Sequence, residues 1–116
     1  MKKTIFCDID GCIFKHNGNL SSQMIQNPEL LPGVREKFNE WDANGYKIIL
    51  VTGRKESMRK CTEEQLLLHG IFYDQLIMSV NRGERVIIND IKPNNDMPVA
   101  RAIEIPRNEG LINISL

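Results

Sequence analysis

Two carboxylates, Asp8 and Asp10, close a short apolar run, Ile5-Phe6-Cys7, with one residue between them. β-Branched and aromatic residues in such a run read as a buried strand. Acids at its end are costly unless a metal or a cradle of backbone amides compensates them. In an open parallel sheet, ligands bind just beyond the carboxyl ends of the strands, where Asp8 and Asp10 would sit. Gly11 supplies the positive φ or close approach that the reversal after the strand needs. The competing reading is a turn in which both acids only cap backbone amides.

Two further runs decide between these readings. Lys47-Ile48-Ile49-Leu50-Val51 is continuously apolar, as strands buried on both faces are, and it ends at Thr52-Gly53-Arg54. Arg85-Val86-Ile87-Ile88-Asn89 ends at Asp90. The strand ends of a parallel sheet converge on one edge, so one pocket would gather Asp8, Asp10, Thr52 and Asp90. The chemistry that such a pocket suits is phosphoryl transfer. Hard oxygen donors fit Mg²⁺, which keeps several waters and takes a substrate phosphate as a further ligand. A hydroxyl and backbone amides can hold the equatorial phosphate oxygens, and a carboxylate can attack phosphorus to give an aspartyl phosphate.

The elements that must position these groups follow from periodicity. Asn17-Gly18 is a strong hairpin signal and predicts a flap over 12–20, with His16 near its tip. Ser21 to Pro32 reads as loop. Val34, Phe38 and Trp41 at i, i+4 and i+7 predict a helix that starts at Pro32 and stops at Asn44-Gly45. A second helix runs from about Ser57, with Met58, Cys61, Gln65 and Leu68 on one face, widened by Leu66 and Leu67, and closes at His69-Gly70. Tyr73 to Met78 and Arg85 to Asn89 are further strands. Ala102 to Ile105 and Leu111 to Ile114 alternate like two short strands in a tail over 97–116. Strands alternating with helices predict an α/β fold: three layers, doubly wound, with a mainly parallel sheet.

At 116 residues the chain reads as one domain, residues 1–116. Its 41% hydrophobic and 26% charged residues are those of a globular protein, and the net charge of zero gives no global attraction to nucleic acid or an anionic membrane. Cys7, Cys12 and Cys61 form no disulfide framework or C-x-x-C pair, which points to a reducing, cytoplasmic setting. Arginine does not follow either Cys7 or Cys12 at the spacing of a cysteine-phosphatase phosphate loop. No apolar run approaches the length of about 18 residues that a membrane span needs.

Taken together, the D-I-D-G at 8–11, the V-T-G-R at 51–54 and the I-I-N-D at 87–90 resemble motifs I, II and IV of the haloacid dehalogenase (HAD) superfamily, in the right order across residues 4 to 96. The resemblance implies a Rossmannoid domain. It implies Asp8 as nucleophile and Mg²⁺ ligand, and Asp10 as acid/base that lends its carbonyl to the metal. It implies Thr52, with Gly53 and Arg54, as phosphate-binding, and Asp90 as the residue that completes the metal site. The family's third motif is a cation before motif IV. Arg82, Arg85 and Lys92 compete for it, with Lys92 and Arg82 favoured and Arg85 set aside as surface charge. Motif IV lacks the usual second acid, since Asn89 and Asn94 stand near it and Asp96 lies further on.

The gaps between motifs are too short for a cap domain, so the resemblance is to capless phosphatases. Such a site takes a large substrate or is covered by another subunit of a dimer or tetramer, and the tail around Arg107-Asn108-Glu109-Gly110 is a candidate cover. The expectation is a Mg²⁺-dependent phosphomonoester hydrolase for a sugar phosphate or similar small metabolite. The alternatives are a phosphatase for polynucleotide or protein ends, and a non-catalytic phosphate-binding module.

Overall fold

The computed structural model describes residues 2–25 and 27–116. Met1, from the basic start, and Gln26, from the stretch expected as loop, lie outside the described residues. In chain order the elements are β1 (Thr4–Cys7), α1 (Leu20–Ile25), α2 (Val34–Ala43), β2 (Lys47–Val51), a 3₁₀ turn (Glu56–Met58) leading into α3 (Arg59–Leu68), and β3 (Gln75–Ile77). The strands form one parallel sheet in the order β1-β2-β3. Cys7 lies beside Leu50, and Leu50 beside Leu76.

This register divides the sheet into two faces, because paired residues project to the same side and successive residues alternate. Cys7, Ile48, Leu50 and Leu76 share one face and join Val34, Phe38 and Trp41 of α2, Met58 of the 3₁₀ turn and Leu66 of α3 in a single core. Right-handed crossovers explain the arrangement. Both steps run in the same direction across the sheet, so both helices land on the same side. The other face carries Phe6, Ile49, Val51 and Ile77, and there Phe6 is 57% and Ile77 42% exposed. On the same face Ile49 is buried and Val51 half-buried. The parallel sheet of the expected α/β fold is present, with three strands in the order β1-β2-β3.

α2 forms where periodicity places it, entered through Gly33 at φ 78° and ended by Asn44 and Gly45. Of the face expected for the second helix, Met58, Gln65 and Leu66 are buried, and the remainder differs. Leu67 and Leu68 are 79% and 68% exposed, whereas Thr62 and Gln65 are buried. These polar groups turn inward because Arg54 lies beneath them.

Three expectations fail for identifiable reasons. Gly18 does turn, with φ 99°, but no hairpin closes over 12–20. The Asn17 amide is taken by the Gln23 side chain at 2.7 Å, and the arms pair further out. Lys15 N–H donates to the Glu29 carbonyl at 2.8 Å and Leu31 N–H to the Ile13 carbonyl at 2.9 Å. The excursion is thus longer, and α1 lies in what was expected as loop. The run 85–89 pairs with no strand, and Ile88 is 93% exposed. Only seven residues, 78–84, separate it from β3, fewer than the dozen or so that a parallel crossover requires. The tail forms no strands either.

Instead the tail folds back as a strap. Leu111 is buried and its N–H donates to the Pro32 carbonyl at 2.9 Å. Gly110 has φ 82°, and a Cβ there would meet the Pro32 carbonyl oxygen at 2.2 Å. Backbone cannot yield at that distance, so Gly110→Ala is expected to detach the strap and cost more than about 1 kcal/mol. Chemical denaturation, with hydrogen exchange at residues 106–111, checks this outcome.

Candidate active site

The loop after β1 wraps around Ile9, which is fully buried and whose carbonyl accepts the Ile13 N–H at 2.8 Å. With Ile9 anchored inward, the two acids take different positions. The Asp8 side chain is 37% exposed and the Asp10 side chain 13%. Asp8 therefore stands open at the carboxyl end of β1. Its nearest cation is Arg85, with Nη1 3.3 Å from Oδ1.

Asp10 is clamped. Arg54, from the end of the neighbouring β2, donates Nε to Oδ2 at 2.9 Å and Nη2 to Oδ1 at 2.8 Å. Gln23 of α1 adds Nε2 to Oδ1 at 2.5 Å. The guanidinium is fully buried, and its remaining nitrogen, Nη1, donates to Thr62 Oγ1 at 2.9 Å and Gln65 Oε1 at 2.7 Å. Gln65 Nε2 in turn donates to the Gln23 carbonyl at 2.7 Å. Planar fork-to-carboxylate pairing is the strong form of ion pair. It sets the angle of Asp10 and ties α1, β2 and α3 together.

The residues expected to bind phosphate divide accordingly. Arg54 is hydrogen-bonded to Asp10, Thr62 and Gln65. Thr52 is 1% exposed, and its Oγ1 accepts the Arg54 N–H at 3.1 Å. Gly53 is half-buried, and its amide makes no hydrogen bond among the described residues. The loop is held by Val80 N–H to the Thr52 carbonyl at 3.0 Å and Ser79 N–H to the Arg54 carbonyl at 2.7 Å.

The three candidate cations are placed differently. Lys92 pairs with Asp90 in the exposed segment beyond Arg85, and Arg82 makes no ion pair among the described residues. Arg85, set aside on sequence, is the residue at Asp8. The short connection after β3 was the signal for it, because it leaves residue 85 still at the carboxyl edge of the sheet.

The Asp8 carboxylate and the Asp10 carbonyl are hard donors of the kind Mg²⁺ prefers. The third expected ligand is not with them. Among the described residues no three of His, Cys, Asp and Glu come together to hold a metal ion.

Cys7 and Cys12 frame the same loop. Burial pushes the Cys12 thiol up to about 11, the charge of Asp8 adds to this, Arg85 opposes it and Asp10 adds further. Burial drives Cys7 well above the usual thiol range, helped by Cys12 and Asp8. A raised folded-state value means that the folded chain keeps a proton the unfolded chain releases. Stability from this source is intact below the unfolded value and is lost as pH climbs from 9.0 toward about 11. The unfolding free energy of the native chain, from urea titrations, should fall relative to that of Cys12→Ala across that window, by at most about 1.4 kcal/mol per pH unit.

Sequence reasoning did not identify Thr62 and Gln65 as partners of Arg54, or Gln23 as a partner of Asp10. An arginine directly after a buried strand must find acceptors, and that need was the available signal.

No protein-family model matches the chain. Over 57 residues it is 40% identical to an uncharacterized protein, MJ0015, of Methanocaldococcus jannaschii, a stretch that makes up 49% of this chain and 58% of that one. The chain is also similar to solved structures. A chain of the Pnkp1/Rnl/Hen1 complex matches with a TM-score of 0.59 and 30% identity, covering 73% of this chain and 30% of that chain. A chain of the Pnkp1/Rnl/Hen1 RNA repair complex matches with a TM-score of 0.58 and 32% identity, covering 72% and 27%. The chain therefore spans less than a third of the length of these structural neighbours. No helix among its described residues is long and apolar enough to cross a membrane. It is an α/β chain built on a parallel sheet of three strands, similar over nearly three quarters of its length to chains of an RNA repair assembly.

Proposed function

We propose that this chain is a phosphatase centre that removes the terminal phosphate from a polynucleotide end through an aspartyl phosphate on Asp8. The observation that carries the reading is the division between two acids at one strand end, with Asp8 open to a ligand and Asp10 locked beside it by Arg54. The cycle opens with a proton on Asp10 Oδ2. In the first step an Asp8 oxygen attacks phosphorus, the bond to the ester oxygen breaks, and Asp10 gives that leaving oxygen its proton, which the second step replaces. In the second step Asp10 takes a proton from a water that attacks the same phosphorus. The bond to Asp8 breaks, and inorganic phosphate leaves.

Lone-pair accounting allows this. A carboxylate offers about four acceptor positions, and Arg54 and Gln23 fill two on Oδ1 and one on Oδ2. One position on Oδ2 is left for the proton in transit. The Gly53 amide and Arg85 would meet the phosphate oxygens as charge builds on them. Mg²⁺ bound by the Asp8 carboxylate and the Asp10 carbonyl would supply neutralising charge. A third protein ligand would require Asp90 to leave Lys92.

A polynucleotide end is preferred over a sugar phosphate because the structural neighbours come from an RNA repair complex. The lack of a cap also suits a large substrate. With zero net charge, the chain would hold its substrate by a few contacts near the end and not along a basic track.

The test is phosphate release by the purified chain with Mg²⁺ from oligoribonucleotides phosphorylated at either end, set against a panel of sugar and aryl phosphates. Higher kcat/KM on an oligonucleotide end, lost on chelation, is the expected result. Higher kcat/KM on a sugar phosphate would return the reading to a small metabolite. No turnover of any substrate would leave a binding module.

A further inference from the structure

We infer that Arg107, carried by the C-terminal strap, is a second phosphate-binding position that takes the phosphodiester next to the reacting end. The inference rests on the polynucleotide-end reading and names the contact through which this site would recognise such a substrate.

The strap is built against the acidic loop. The Asn108 N–H donates to the Gly11 carbonyl at 3.0 Å, and the His16 N–H donates to Asn108 Oδ1 at 2.7 Å. Asn108 holds φ 67°, a left-handed conformation that asparagine tolerates better than most residues. The Leu111 and Gly110 contacts with Pro32 pin the other end of the strap. Residue 107 is thereby held on Gly11, next in sequence to Asp10. A Cβ on Gly11 would stand 3.3 Å from Arg107 Cγ, so the missing side chain lets the arginine stem lie against the loop.

The charge on this arm is uncommitted. Arg54 answers Asp10, Arg85 answers Asp8, Arg59 answers Glu56 and Lys92 answers Asp90. Arg107 is exposed and has no ion pair among the described residues. A guanidinium whose stem lies on Gly11, three residues along the chain from Asp8, and which has no acid of its own, is arranged for an anion on the substrate. A monophosphate placed at Asp8 would already meet Arg85 and the Gly53 amide. The group left for Arg107 is the neighbouring phosphate, which an oligonucleotide has and a sugar monophosphate lacks.

The experiment uses the full chain carrying Asp8→Asn, so that binding is read without turnover, and a fluorescent oligoribonucleotide with a terminal phosphate. Affinity is measured against salt concentration. Arg107→Gln, which keeps a stem on Gly11, is expected to weaken binding several-fold and to lower the slope of log K against log salt by about 0.7, the share of one phosphate contact on a single strand. Arg107→Lys is expected to restore the slope. An unchanged slope in Arg107→Gln with a native melting temperature would overturn the proposal, as would failure of the parent protein to bind the oligonucleotide. Binding lost through Arg107 with no hydrolysis by the unmodified chain would instead refute the phosphatase reading and leave this contact standing.

Discussion

Asp8→Asn is expected to abolish phosphate release while leaving the fold intact. The substitution keeps the shape of the side chain and removes the nucleophile. Loss of a nucleophile in a covalent mechanism costs on the order of 10⁴-fold or more in kcat. The fold should tolerate the change because Asp8 is 37% exposed and its salt-bridge partner Arg85 is 40% exposed. Exposed pairs contribute about 0–1 kcal/mol. Steady-state phosphate release gives the first quantity and thermal melting the second. Full activity in Asp8→Asn would mean that no aspartyl phosphate forms on this residue. A large fall in melting temperature would mean that Asp8 is part of the turn scaffold, as in the alternative reading of the motif.

Arg54→Met should have the largest effect on stability. Arg54 is fully buried and joins Asp10, Thr62 and Gln65, so its removal leaves a nearly buried carboxylate uncompensated. Breaking such a pair from one side costs about 3–5 kcal/mol, which in a domain of this size lowers the melting temperature by more than about 10 °C. Arg54→Lys should not rescue it. One ammonium cannot serve both oxygens of Asp10 in the plane of a fork while also reaching two acceptors on α3. Arg54→Met combined with Asp10→Leu should recover part of the stability, since the stranded charge is gone, and should remain inactive. A cost below about 1 kcal/mol for Arg54→Met would show that the clamp does not hold Asp10.

These expectations separate two kinds of information in the chain. β1, α2 and β2 were legible because each rests on local pattern: Ile5-Phe6-Cys7, the spacing of Val34, Phe38 and Trp41, and the run from Lys47 to Val51. The meeting of the Asp8-Asp10 and Thr52-Arg54 strand ends was legible for a related reason. Parallel neighbours must deliver their carboxyl ends to one edge, whatever packs around them.

The role of each polar group at that edge was not legible. Thr52, Gly53 and Arg54 are adjacent in sequence, yet Arg54 turns under α3, Thr52 caps its amide, and Gly53 keeps its own amide open. Nothing local distinguishes an arginine that meets a ligand from one that meets a buried aspartate. The difference lies in Thr62, Gln65 and Gln23, which are polar at positions facing the core. Arg85, Arg82 and Lys92 were likewise equivalent as charges, and the length of the connection after β3 placed Arg85 at Asp8. The run from Arg85 to Asn89 has strand composition but too short a lead to reach a place in the sheet. The strap at 106–111, with two residues in left-handed conformations, reaches Gly11 and Pro32 from far along the chain. Two acids at the end of a strand thus follow from sequence periodicity. Which of them is open, which is clamped and which cations attend them depends on long-range contacts, because buried charge and hydrogen-bond geometry are settled only when distant segments meet.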